Sequence, residues 1–404
     1  MLRVEQIVGA FVGAFVVQFQ DLLVFASSLF FPQTQTQIPT PPTVVPLHVN
    51  AADAQLALFD ATTPAGFVEP LLRPDRMHIG TIPAARLDIE ELYVRSRDSF
   101  WEEREIDLVQ DRKHWDELSD GERFFLSRVL AFFSQSDALV AENCSCNFGV
   151  EITWPEFRQL FAWQASMEWI HARTYSVLLN TYIRDSAERE ILEKSIESIK
   201  TIAEKAAWMR AYMDPAKPLA ARLAAFVVCE GVFFSASFCA IFYMKKRGKL
   251  PGLAHSNELI ARDESLHTET SALAYSKLER KLPEAYVHAM FDDAVAIERE
   301  FVRDSIPIAL LGMNADAMCA YVEFVADYWL ENLGYSKLFR TANPFEWMDL
   351  GALTGKTNFF ERKVGEYARA LRDQQQQHED EDDENAGTRQ QSVLAQAFAG
   401  DIDF

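Results

Sequence analysis

Glu168, His171 and Tyr175 lie three and four residues apart within WQASMEWIHARTY, residues 163–175. A helix turning about 100° per residue brings them within roughly 60° of one another, so a carboxylate, an imidazole and a phenol share one side. The rest of that face is apolar or aromatic. Ionisable groups on the buried side of a helix are costly unless something neutralises them, and Glu-x-x-His is the pair with which helical bundles hold a transition metal. One such pair is a weak signal, because the motif is common on helix surfaces.

The pattern occurs twice. Glu264 and His267, in LIARDESLHTETSAL, repeat the three-residue spacing inside a second helical run. A lone acid precedes each copy in a strongly apolar run: Asp137 in RVLAFFSQSDALVAEN and Glu230 in LAAFVVCEGVFFSASF. Four helices then supply carboxylate, carboxylate plus imidazole, carboxylate, and carboxylate plus imidazole. That is the ligand inventory of a dinuclear carboxylate site in a ferritin-like bundle, so the predicted fold is all-α with a dinuclear metal site in its core.

Charge points the same way. Two like charges about 4 Å apart repel by roughly 4 kcal/mol at an effective dielectric of 20, so four converging carboxylates must protonate or be neutralised. Two divalent cations cancel the four charges. The oxygen and imidazole donors suit iron or manganese, and the absence of thiolate ligands argues against structural zinc or an iron–sulfur cluster. Buried salt bridges are the alternative, but no Lys or Arg sits within a helical turn on the same face of Asp137 or Glu230.

The elements that must carry these groups are long helices. From about Arg86 nearly every window is helical and strand alternation is nearly absent. Ser119 and Glu122 have capping-box spacing at the head of a helix over residues 120–147, with an apolar stripe through Phe125, Val129 and Phe132 or Phe133. Further helices are predicted over 154–183, 186–199, 218–247, 254–278, 283–310 and 315–338, with a last short one ending near Arg372. The predicted division is an apolar extension over 1–31, a Pro/Thr-rich linker and extension over 32–85, the helical domain over 86–372, and an acidic disordered tail over 373–404.

The 404 residues carry a formal charge of −21, which argues against nucleic acid as a partner. Five cysteines without zinc or redox spacing read as inert thiols in a reducing compartment, so the cytoplasm is the expected location. The first 31 residues leave this open. They read equally as a membrane or targeting segment, interrupted by Asp21, as an extension packed on the protein, or as a start-site artefact. The sequence closes on FAGDIDF, Phe398 to Phe404, where Asp401 and Asp403 alternate with apolar residues on a flexible tether. Such an end reads as a docking peptide or as a frayed terminus.

A dinuclear iron site can store iron, activate O₂ for hydroxylation or desaturation, or oxidise a neighbouring side chain. Tyr175 stands one turn beyond His171 on the ligand face. Phe234 and Phe238 follow Glu230 by four and eight residues and Ile260 precedes Glu264 by four, so the wall around the phenol is predicted to be apolar. An oxidised tyrosine survives only where water and reductants are excluded. An ordinary core tyrosine is the alternative.

SDALVAEN, MEWIHARTYS, CEGVFFSASF, NELIARDESLH and GKTNFFERKVGEY resemble the small, radical-generating subunit of class I ribonucleotide reductase, of the eukaryotic kind. The resemblance runs from about Phe100 to Tyr367 and returns at FAGDIDF. It implies Asp137, Glu168, His171, Glu230, Glu264 and His267 as ligands of two iron ions, manganese being the lesser expectation, and Tyr175 as the site of a stable radical. It implies an electron path in which Asp263 links His171 to Trp101, while Tyr367 passes the oxidising equivalent to a large catalytic subunit docked by the terminal peptide. A homodimer is also implied. The apolar N-terminus and the Gln-rich acidic run depart from the family core. Two rivals remain at this point: a di-iron oxygenase or desaturase with its own substrate, and a ferritin-like iron store.

Overall fold

The computed structural model describes residues 49–73, 85–305, 315–345 and 348, all within a unit running from Val44 to Phe404. In order along the sequence its main helices are α1 (Val49–Ala61), α2 (Leu87–Asp98), α3 (Val109–Asp116), α4 (Asp120–Asn143), α5 (Pro155–Tyr182) and α6 (Ser186–Glu193). There follow α7 (Lys200–Met213), α8 (Leu219–Gly231), α9 (Ser235–Lys246), α10 (Pro251–Ser276), α11 (Glu284–Ser305) and α12 (Ala315–Asn332). No strand occurs among the described residues.

Local chemistry sets the ends of the site helices. Glu122 N–H donates to the Ser119 hydroxyl while the Glu122 carboxylate accepts from Ser119 N–H at 2.8 Å, so α4 begins at the expected capping box. Pro155 occupies the first turn of α5, where its missing N–H leaves no bond unmade. α4 packs along α5, α8 along α10, and α5 against α10, which brings together the four helices that carry the spaced acids. α2 covers α5, while α11 lies against α7 and α12. Every residue of α8 is buried. The Leu219–Lys246 stretch contains an 18-residue window apolar enough for a bilayer, yet 94% of that window is buried inside the protein; it is a core segment.

A buried acid anchors the head of α10. Asp111 on α3 accepts from the N–H groups of Gly252 and Leu253, each at 2.8 Å, and from the Tyr182 hydroxyl at 2.6 Å. A carboxylate there satisfies orphan N–H donors and complements the positive end of the helix dipole. α10 carries Asp263, Glu264 and His267, so this anchor sets the depth at which they enter the core.

Four stretches differ from expectation. The helix expected over 186–199 stops at Glu193, and Lys200–Met213, where none is expected, is helical. Residues 47–80 lack obvious periodicity, yet Val49–Ala61 is helical, held by Leu56 and Phe59 in the core and by Arg280, which donates to the Phe59 carbonyl at 2.7 Å and to Thr63. The helix expected to run from Asp120 to Asn147 passes at Cys144 into a π-helical turn, Cys144–Phe148. The helix expected over 218–247 breaks after Glu230, between Gly231 and Ser235. Phe233 N–H reaches back to the Val228 carbonyl at 3.1 Å, a five-residue step that widens the backbone there.

Gly231 permits that break. A Cβ on it would stand 2.7 Å from Cδ1 and 2.9 Å from Cε2 of Trp329, a buried ring. Gly231→Ala should therefore lower stability by about 1–3 kcal/mol, the usual cost of overpacking. In urea titrations this reads as a lower midpoint at constant slope. An unchanged midpoint would show that α12 is not packed as described.

Candidate metal centre

The two Glu-x-x-His pairs meet. Ligand atoms of Glu168, His171, Glu264 and His267 all lie within 4.8 Å of one another, with all four residues buried. His267 Nδ1 is 2.7 Å from Glu168 Oε1 and 3.3 Å from Glu264 Oε2, and His171 Nδ1 is 3.0 Å from Glu264 Oε1. Each imidazole thus aims one nitrogen at carboxylates arriving from both α5 and α10. Glu230, on α8, accepts from the Gln164 amide at 2.8 Å, and the same amide reaches Glu168 Oε1 at 3.3 Å. Asp137, on α4, is wholly buried, and neither of its oxygens has a hydrogen-bond partner.

Packing so many acids together perturbs them all. Burial, then the charges of Glu168 and Glu264, pushes the Asp137 carboxyl well above its ordinary range; burial, Glu264 and Glu168 do the same to Glu230. Burial works to raise Glu264 as well, but His267 and His171 outweigh it and hold that carboxyl below its ordinary range. Burial disfavours the charged form of both imidazoles and is overcome. Glu168 and Glu264 bring His267 to about 9, while hydrogen bonds from Asp263, Glu168 and Glu264 raise His171 well above 6.5. The cluster by itself is neutralised with protons. It is a set of carboxylate and imidazole donors that holds positive charge in whatever form is available.

Behind His171 runs a second series of contacts. Its Nε2 faces Asp263 Oδ2 at 3.2 Å, and Trp101 Nε1 donates to that same oxygen at 2.7 Å. Trp101 lies nearly parallel to the His171 ring, with centroids 5.9 Å apart. Arg262 holds the other oxygen of Asp263 at 3.0 Å. Burial would raise Asp263, but Arg262 and His171 prevail and keep it ionised. An anion fixed behind a ligand imidazole sets its orientation and strengthens its donor nitrogen.

Tyr175 is 1% exposed, and its hydroxyl has no hydrogen-bond partner. Burial, followed by the charges of Asp137, Glu264 and Glu168, pushes the phenol well above 10, so it stays protonated. Its ring stacks on Phe133, with centroids 4.7 Å apart and planes 5° from parallel. Phe234 and Phe238 pack on Phe133 at 5.3 and 4.8 Å, so they stand one ring behind the immediate wall, and Ile260 is fully buried on α10.

All six spaced acids and histidines, Tyr175, Trp101 and Asp263 therefore fall in one buried region. Tyr367, Phe398, Asp401, Asp403 and Phe404 lie outside the described residues. Three contributors were not singled out from sequence as parts of the site. Phe133 is four residues before Asp137, Gln164 is four before Glu168, and Arg262 is next to Asp263. The helical spacing that found the acids would have flagged the first two.

The donor set fits a dinuclear metal site: four carboxylates, two imidazole nitrogens, and four buried oxygens (Asp137 Oδ1 and Oδ2, Glu168 Oε2 and Glu230 Oε2) that no protein donor satisfies.

Helical bundle and site together define a ferritin-like protein built to hold metal among carboxylates. The sequence model described as ribonucleotide reductase, small chain, matches residues 81–344. The protein is 49% identical over 304 residues to the ribonucleoside-diphosphate reductase small chain of Nicotiana tabacum, covering 75% of its own length and 92% of that relative. It is 43% identical over 338 residues to ribonucleoside-diphosphate reductase subunit M2 of Danio rerio, covering 82% and 88%. The Rnr4 homodimer of Saccharomyces cerevisiae superposes with a TM-score of 0.66 at 27% identity, over 78% of this protein and 96% of that one. The dimanganese(II)-NrdF of Streptococcus sanguinis shares the fold, with a TM-score of 0.60 at 18% identity over 69% and 100%. The protein belongs to the ribonucleotide reductase small-chain family, and its activity is that of an oxidoreductase subunit.

Proposed function

We propose that this protein forms a stable radical at Tyr175 and supplies that oxidising equivalent to a separate large subunit, which reduces ribonucleoside diphosphates to deoxyribonucleotides. One observation carries the reading: a buried phenol, unpartnered at its hydroxyl and stacked on Phe133, lies in the field of Asp137, Glu264 and Glu168, two of them in the four-residue cluster Glu168, His171, Glu264 and His267. Asp137, Glu168, His171, Glu230, Glu264 and His267 are the residues to hold two metal ions, and iron is our choice over manganese. Iron bound there supplies, with O₂, the power to take an electron from the phenol.

The protein's own groups do the rest. Phe133, with Phe234 and Phe238 behind it, excludes water and reductants from Tyr175. Asp263 bonds both Trp101 and His171, which supports a role for His171, Asp263 and Trp101 as the protein's own part of an electron path. The cavity lined by Glu230, Phe238, Glu264, Thr268 and Trp329 beside the cluster holds about 30 Å³, room for a water molecule.

The remaining parts of the proposal are docking through Phe398 to Phe404, with Tyr367 relaying the equivalent, assembly as a homodimer, and residence in the cytoplasm. The free state of all five cysteines supports the last. The deciding measurement is the metal content and electron paramagnetic resonance (EPR) spectrum of the purified protein after ferrous iron and air. Two irons per protomer without a tyrosyl signal would sink the reading. Deleting Phe398 to Phe404 should leave iron content and radical yield unchanged yet lower nucleotide reduction at subsaturating large subunit by more than about tenfold, a loss of at least ~1.4 kcal/mol in docking. Undiminished turnover by the shortened protein would remove the docking role.

A further inference from the structure

Lys205, on α7, is 0% exposed in the middle of the apolar core, and its only carboxylate partner among the described residues is Glu298 of α11, also 0% exposed, at 2.6 Å. Burial pulls the lysine down to about 8 and pushes the glutamate up to about 7, so each pays for its place there. A buried ion pair is weak evidence for stability, since well-packed apolar residues commonly do as well. Another task must account for it.

The second contact of Lys205 names that task. Its Nζ donates to the Phe233 carbonyl at 2.7 Å. Phe233 lies in the break between α8 and α9, where the helical ladder is interrupted, so its carbonyl would otherwise be an unsatisfied acceptor in the core. The ammonium also sits 3.4 Å from the centroid of Phe132 and 4.1 Å from that of Phe301, in an aromatic surround. Phe132 packs on both Phe133 and Phe234, at 5.6 Å each. The break it caps separates Glu230 of the metal cluster from Phe234 and Phe238 of the tyrosine's wall by only a few residues.

We infer that Lys205, held by Glu298, is a positioning residue for the tyrosine pocket. By capping the Phe233 carbonyl it fixes the helix break after Glu230, and so fixes Phe234 and Phe133 around Tyr175. The inference rests on the assignment of a radical to Tyr175 for its functional half, while its structural half is independent of any metal.

The test uses the full-length protein in two variants. Lys205→Met with Glu298→Leu replaces the pair by apolar groups of similar volume without stranding a charge, so the midpoint of unfolding should fall by no more than one unsatisfied carbonyl costs. Glu298→Gln keeps the lysine donor and removes only the partner's charge. Hydrogen exchange of the metal-free double variant should quicken about tenfold at Val232, Phe233 and Ser235 and stay unchanged in α5 and α10, the expected effect of a lost buried hydrogen bond. After iron and air, its tyrosyl signal should decay about tenfold faster, with altered hyperfine splitting from a turned ring. Glu298→Gln strands the buried ammonium and should lower the midpoint by more than the double variant does, but with the Lys205 donor kept, exchange at the break relative to α5 and α10 and the radical signal should resemble the parent.

Unchanged exchange at the break, loss of protection across the whole bundle, or faster exchange with an unaltered radical would each overturn the inference. So would a Glu298→Gln variant that matches the double one. If the parent protein itself gives no radical, the Tyr175 assignment has failed, and the exchange data alone still decide whether Lys205 holds the break.

Discussion

Tyr175→Phe keeps its metal, keeps its fold and loses its radical. The hydroxyl that the substitution removes has no hydrogen-bond partner, so its deletion leaves no buried group stranded. Removing an unsatisfied polar atom from an apolar site changes stability by no more than about 1 kcal/mol, and here it should be neutral or favourable. The phenyl ring that remains still stacks on Phe133. The metal cluster draws no bond from the hydroxyl, so two irons per protomer are expected. What disappears is the oxidisable group. The EPR spectrum of the loaded variant should lack a tyrosyl signal, and nucleotide reduction with the large subunit should fall below about one thousandth of the parent value, as befits loss of the group that carries the reaction. A persisting tyrosyl signal would move the radical elsewhere, and loss of iron would make Tyr175 part of the metal site's scaffold.

Metal binding should stabilise the bundle strongly, and more so as pH rises. Without metal, burial and then the neighbouring carboxylates push the Asp137 and Glu230 carboxyls up, while the surrounding carboxylates hold His171 up and bring His267 to about 9. Metal must displace the protons that these groups retain, so acid competes with metal and apparent affinity climbs with pH. For the metal-free protein the sign is the reverse. His267 goes from 6.5 to about 9 on folding, so its contribution is fully present below pH 6.5 and is lost as pH rises through about 9. That loss is about 3 kcal/mol at 1.36 kcal/mol per unit, and the raised His171 adds in the same direction. Glu264 and Asp263, both held low, contribute stability that is already complete above the ordinary carboxylate range and does not vary in this window.

Saturation at about a thousand times the dissociation constant stabilises a folded state by about 4 kcal/mol, and at about 2.1 cal/mol/K of unfolding entropy per residue a protein of this size gains roughly 1–2 °C per kcal/mol. A rise in melting temperature of about 5 °C is therefore expected on loading ferrous iron or manganese without air, larger at pH 8.5 than at pH 6.5. Chelation should reverse it, and a weakly buffered indicator should register the released protons. Equal melting temperatures with and without metal, or loading with no proton release, would contradict the donor set.

The residues that do chemistry were legible because helical spacing is a local property. Glu168 and His171 share a face whatever surrounds them, and the same holds for Glu264 and His267. Lone acids in apolar runs stand out because burying them is costly, so Asp137 and Glu230 announced themselves without any contact being known. Capping at Ser119 was readable for the same reason: both partners lie within one turn.

Contacts between helices were not readable. That Trp101 donates to Asp263, 162 positions away, follows from how α2 and α10 pack on α5, and no local pattern encodes it; only resemblance to a family had suggested it. The break after Glu230 was hidden because its causes lie in other helices, the Trp329 ring against Gly231 and the Lys205 ammonium on the Phe233 carbonyl. Phe133 rather than Phe234 lies flat on Tyr175 because rotamers in a close-packed core are chosen by volume, which spacing along one helix does not contain. The sequence by itself determined which groups were candidates for the site and on which helices they lie. Tertiary packing alone decided the order of the rings around the phenol and the kink that aims them, since both depend on side groups that are neighbours only once the protein has folded.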